Sequence, residues 1–320
     1  FIARKSFGLV PLAYQDGMNF GNYHIIAVLT ATNNNIRRWT DVRQKRVCFP
    51  EYGGLAWISV LATLREHRLL ANLCPNSLAL GRYFSSGCVP GANDIMHTRG
   101  SGLVPASLCS LCTGPVASSN STDGPCSTTS NNMFFGDLGA LRCLASGSGD
   151  IAFLDYRQLL EGKSGTLAED IESGAYKVLC RNGSLASYKG LSVDHNCALS
   201  SGVGGEVLIQ GSLSESKRID LSELLLEMDV WFGATSPSKE GTIHMYNKFQ
   251  DAKDLLFKDS TVGLILPQDT NYRLVNSYTS LQNINANCSR TRNGGSLMLP
   301  LSISVLVSVS LIVFSFKVSL

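Results

Sequence analysis

DIAFLDY, residues 150–156, sets Ile151, Ala152, Phe153 and Leu154 in an unbroken apolar run between Asp150 and Asp155. A short run of this kind reads as a strand. YHIIAVLTA, residues 23–31, reads the same way, and VLIQ, residues 207–210, is a shorter candidate. Trp57, Val60, Leu61 and Leu64 fall at helical spacing, as do Leu224, Leu225, Met228, Trp231 and Phe232, with Gly233 as the stop of the second helix. Strand-like and helix-like patterns in alternation argue for an α/β architecture. Both helical stripes are expected to be core faces, with Trp57 and Trp231 as packing rather than binding residues.

The 320 residues suit two domains. At 16% charged and 44% hydrophobic the chain is expected to fold, and a net charge of +2 lacks the basic load that nucleic-acid binding requires. Ten cysteines spread from Cys48 to Cys288 point to disulfides in an oxidising compartment. Only Cys109 and Cys112 have CxxC spacing and the histidines are dispersed, so zinc is disfavoured. Sequons at Asn120, Asn182 and Asn287 agree with a secreted glycoprotein. Residues 85–132, rich in Ser, Gly, Asn and Pro, carry Cys88, Cys109, Cys112 and Cys126, and crosslinks are expected to constrain this long loop. There is no GxSxG, P-loop or complete GxGxxG, and Glu169/Asp170 reads as a solvated pair, so no enzyme is expected.

The chain begins at Phe1 without an initiator Met or a signal peptide, and is read as the C-terminal piece of a longer secreted protein. Residues 297–316 form an uncharged apolar run of bilayer-crossing length, followed by only four residues. Small residues precede it, with Asn293 and Gly294 as attachment candidates for a GPI anchor and Ser289 as an earlier one. Residues 291–320 are therefore a GPI-anchor signal, or else a transmembrane segment, placing the protein on the extracellular face of the plasma membrane.

The segments KRVCFPEYGGLAW (45–57), SSGCVPGA (85–92), LCSLCTG (108–114), FFGDLGALRCLASGSGDIAFLDY (134–156), YKVLC (176–180) and DLLFKDSTVGLILP (254–267) together resemble a transferrin lobe in order and spacing up to about Cys288. With its terminal run, the chain is similar to the C-terminal lobe of the lipid-anchored, melanotransferrin-like branch, of invertebrate type. The resemblance implies a periplasmic-binding-protein-like fold, two α/β domains around a cleft joined by hinge strands. Residues 21–204 are then the continuous domain, and residues 1–20 plus 205–290 a truncated discontinuous one. It also implies the bridges Cys48–Cys143, Cys74–Cys288, Cys88–Cys112, Cys109–Cys126 and Cys180–Cys197.

The family holds ferric iron with an Asp, two Tyr and a His, completed by carbonate on a helix N-terminus with a Thr and an Arg. A hard trivalent ion favours such anionic oxygens, and the dianion needs positive partners. By resemblance the Asp would precede Phe1, Tyr23 matches the first Tyr, Asp137 stands at the second, and Gly205 stands at the His, with Glu206 as a weak substitute. Pro50 and Gly54 replace the Thr and the Arg, and Glu51 adds negative charge. Hence this lobe is expected to carry no ferric iron or carbonate, with Tyr23 a hinge tyrosine. The functional expectation is a membrane-anchored iron-binding or transport protein whose N-terminal lobe is a partner of this one. The alternative is a cell-surface structural or adhesion protein at cell junctions, with protein partners unknown.

Overall fold

A computed structural model describes residues 4, 7–17, 23–31, 35–71, 73–94, 104–114, 124–156, 176–186, 197–203, 205–234, 244–246, 255–259, 261–269, 280, 281, 283 and 284. Within residues 23–31, side chains are described only for Val28, Leu29 and Thr30. The Tyr23 side chain, Asn120, Glu169, Asp170, Asn287, Cys288, Ser289, Asn293, Gly294 and the run 297–316 lie outside the described set.

The chain runs β1 (Leu9–Gly17), β2 (Tyr23–Ala31), β3 (Arg46–Cys48), α1 (Leu55–Glu66), α2 (Asn76–Tyr83), β4 (Ser86–Cys88), α3 (Gly136–Ala145), β5 (Ile151–Asp155), β6 (Tyr176–Val178), β7 (Ser200–Val203), β8 (Glu206–Gln210), α4 (Glu215–Phe232) and β9 (Thr261–Ile265). The larger sheet has the order β4-β3-β5-β2-β6, with β7 also pairing β2. β3 lies parallel to β4 and β5, while β2 is antiparallel to β5, β6 and β7. The smaller sheet, β8-β1-β9, is antiparallel throughout.

Every residue of β5 is buried, because helices cover both of its faces. Successive side chains alternate sides. Ile151 and Phe153 face the core shared with Trp57, Ile58, Val60, Leu61 and Leu64 of α1, whereas Ala152 and Leu154 face Leu141 and Leu144 of α3. The α1 stripe is thus the core face its periodicity predicts, and Phe49 anchors it, stacked at 4.8 Å on Phe153 and edge-on at 5.4 Å to Trp57. Asp150 lies just before β5 and binds Arg46 of β3 through both carboxylate oxygens and a backbone N–H, at 2.7 to 3.2 Å.

Disulfides link Cys48 to Cys143, Cys88 to Cys112, Cys109 to Cys126 and Cys180 to Cys197. Cys74 is also disulfide-bonded, its expected partner being outside the described residues. Cys48–Cys143 fastens α3 to β3 across 95 residues, a loop long enough for the chain-entropy effect to contribute roughly 4–5 kcal/mol. In the Cys-rich loop the strand β4 is bracketed by the hydrogen bonds Val89 N–H to Leu108 O (2.8 Å) and Leu111 N–H to Gly87 O (3.1 Å).

The second stripe departs from expectation. α4 starts at Glu215, capped by the Ser214 hydroxyl accepting from Lys217 N–H, and ends before Gly233 as its sequence predicts. Yet Leu224, Met228, Trp231 and Phe232 are exposed, Leu224 by 55% and Trp231 by 61%. Of the stripe only Leu225 turns inward, and with Leu226, outside the stripe, it packs on the cluster of Ala13, Met245, Tyr246 and Leu264. Asp229 locks that side by accepting Tyr246 O–H at 2.6 Å and Leu264 N–H at 3.1 Å. Apolar residues occur around the whole helix, so spacing alone selects the wrong face. Among the described residues no helix is long and apolar enough to cross a membrane.

Candidate metal and anion site

The loop after β3 turns at Pro50 and delivers the chain to the N-terminus of α1, whose N-cap is Gly54. Phe135 caps α3, and Pro50 O accepts Gly136 N–H at 3.1 Å, so the starts of α1 and α3 sit side by side at the C-terminal end of β5. A cavity of about 130 Å3 opens there, lined by Pro50, Glu51, Gly54, Leu55, Ala56, Asp137 and Asp155. Among the described residues, three carboxylates and no Lys or Arg line it.

Each expected position has been put to another use. Asp137 Oδ1 accepts Asp155 N–H at 2.7 Å, tying the first turn of α3 to the end of β5. Asp155 is only 4% exposed, so this N–H depends on a protein acceptor rather than on water. Glu51 leans over Gly54, its Oε1 2.6 Å from where a Cβ at Gly54 would sit. An arginine there would first have to displace Glu51. Pro50 offers no N–H or hydroxyl to an anion.

At Gly205 the obstacle is Gln15 of β1, whose amide would overlap any Cβ at that position. That amide is fixed by its oxygen: Gln15 Oε1 accepts Thr261 O–H at 2.9 Å and the Lys258 backbone N–H at 3.1 Å, and the Gln15 backbone N–H separately donates to Gly205 O at 3.1 Å. An imidazole has no room without expelling Gln15. Glu206, the weak substitute, is salt-bridged to Arg4 at 3.0 Å. Beside it Tyr14 is buried, and burial pushes its hydroxyl above the ordinary phenol range, the Glu206 charge adding to this and Arg4 opposing it. The backbone of Tyr23 pairs with Val203. Among the described residues, no three His, Cys, Asp or Glu side chains form a group able to hold a metal ion.

Sequence reasoning missed the Gln15 wedge and the Tyr14, Arg4 and Glu206 group. The available signal was the polar Gln15 directly after the apolar run of residues 9–14 in β1, which itself was not recognised as a strand.

Comparison with known proteins matches this chain to the family described as Transferrin over residues 9–286. It is similar to a transferrin of Blaberus discoidalis, 29% identical over 273 residues, covering 83% of this chain and 36% of that protein. It is 28% identical over 272 residues to a melanotransferrin of Oryctolagus cuniculus, covering 82% and 34%. It is 34% identical over 196 residues to transferrin 2 of Drosophila melanogaster, covering 58% and 22%. The chain spans about a third of the length of the first two relatives.

Proposed function

This chain belongs to the transferrin family, and on that premise we propose that it is the C-terminal lobe of a membrane-anchored, iron-handling protein whose ferric site has been retired in this lobe. The carrying observation is the Asp137 carboxylate, bound to the Asp155 N–H in the place where the family resemblance puts a phenolate. Glu51 over Gly54 and Gln15 over Gly205 support the same reading. Carbonate would meet the three carboxylates of the cavity with no cation among its described lining residues. The lobe then serves as scaffold and tether for its N-terminal partner lobe, not as an iron carrier or an enzyme. Its division into residues 21–204 and residues 1–20 plus 205–290 is part of the same proposal, and the separate sheets β4-β3-β5-β2-β6 and β8-β1-β9 support it.

Mixing the purified chain with ferric salt and bicarbonate tests this. No phenolate-to-iron visible band is expected, and a strong band with one iron per chain overturns the reading. The apolar run 297–316 motivates the lipid anchor. Phosphatidylinositol-specific phospholipase C is expected to release the protein from cells, and retention after treatment points to a spanning segment.

A further inference from the structure

The bridges Cys88–Cys112 and Cys109–Cys126 touch: Cys112 Sγ and Cys126 Sγ are 3.7 Å apart. Cys109 and Cys112 are half-buried, whereas Cys88 and Cys126 are buried, at 0% and 2% exposure. Each bridge therefore joins an approachable sulfur to a hidden one. The hidden Cys88 sulfur has a polar neighbour. The amide of Asn132, 3% exposed, lies against Cys88 Sγ, with Nδ2 at 3.8 Å and Oδ1 at 3.9 Å. The same amide is held in place by donating to Ser127 O at 3.1 Å and by its Oδ1 accepting Phe134 N–H at 3.0 Å.

We infer that these paired bridges form a thiol–disulfide exchange site for a low-molecular-weight thiol. The incoming thiolate attacks Cys109 Sγ, forming a mixed disulfide there and breaking Cys109–Cys126 to leave a Cys126 thiolate. That thiolate lies against Cys112 Sγ and attacks it, forming Cys112–Cys126, breaking Cys88–Cys112 and leaving a Cys88 thiolate. Two disulfides and one thiolate exist at every stage, so no oxidant or reductant is consumed. The Asn132 amide N–H receives the charge developing on Cys88, and a stabilised thiolate leaves faster. Cys48–Cys143, with both sulfurs at 0% exposure, offers no such entry.

The native chain incubated with reduced glutathione, quenched in acid, alkylated and mapped without reduction tests the sequence of steps. A Cys112–Cys126 peptide is expected, with glutathione on Cys109 and the alkyl label on Cys88, before any change at Cys48–Cys143 or Cys180–Cys197. Finding only the original pairs, or earlier loss of either comparison bridge, overturns the proposal. Asn132→Asp keeps the shape but places a carboxylate beside Cys88, and formation of the new peptide is expected to slow roughly tenfold. An unchanged rate in a variant with wild-type circular dichroism removes Asn132 from the mechanism. The wild-type map is decisive even where that variant does not fold.

Discussion

Asp137→Ala separates a structural carboxylate from a ligand. The substitution leaves Asp155 N–H, in an almost fully buried residue, without the acceptor it now has at 2.7 Å. A hydrogen bond to a charged group is worth about 1.5–3 kcal/mol. A carboxylate in the first turn of a helix adds about 0.3–1 kcal/mol through the α3 dipole. Together these give a loss of about 2–4 kcal/mol, which for a chain of this size lowers Tm by roughly 4–12 °C. Asp137→Asn keeps an oxygen acceptor and should lose about 1 kcal/mol. The assay is thermal unfolding followed by circular dichroism, each protein scanned with and without ferric salt and bicarbonate. Iron is expected to move neither wild type nor variant. A wild-type Tm that rises with iron, and a variant that loses that rise, would show Asp137 to be a ligand. A variant melting within about 1 °C of wild type would refute the structural argument as well.

The Asp150 carboxyl is pushed up by burial, but the Arg46 guanidinium and backbone N–H outweigh this and hold it below the ordinary carboxylate range. A depressed folded pKa stabilises above the unfolded value of about 3.9 and loses that contribution as pH falls through the folded one. Asp150→Asn should therefore lower Tm at pH 7 and differ less from wild type as the solution is acidified to pH 2; a gap of constant size across that range contradicts it. Trp57→Ala removes a side chain only 2% exposed and should cost about 3–5 kcal/mol in urea unfolding, so a loss below about 1 kcal/mol would remove α1 from the core. Leu224→Ser, on the open side of α4, should stay within about 0.5 kcal/mol of wild type, and a larger loss would mean that this side is covered in solution.

The α/β class was legible because β5 and α1 have unambiguous periods, four consecutive apolar residues in one and a helical stripe in the other. α4 was half legible. Its end is written in Gly233, but Leu221, Leu224, Leu225, Leu226 and Met228 leave its inward face undefined until Asp229 is seen binding Tyr246 and Leu264. The site divides in the same way. Pro50, Gly54 and Gly205 carry no side-chain ligand or donor atom, which the sequence shows directly. What replaced them depends on contacts between residues far apart in sequence, such as Gln15 with Thr261 and Lys258, or Asp137 with Asp155, and no local pattern encodes those pairings.

Tyr14 pairs with Glu206 between β1 and β8, and Tyr23 pairs with Val203 between β2 and β7. The ends of the strands that flank each crossing between the sheets are thus paired with one another. Gln15 Oε1 accepts from Thr261 and the Lys258 backbone, and the Gln15 backbone N–H donates to Gly205 O, so one residue of β1 joins β9 to the residue just before β8. The residue whose amide fills the space beside Gly205 therefore also fastens β1 to β9 through its side chain and to Gly205 through its backbone.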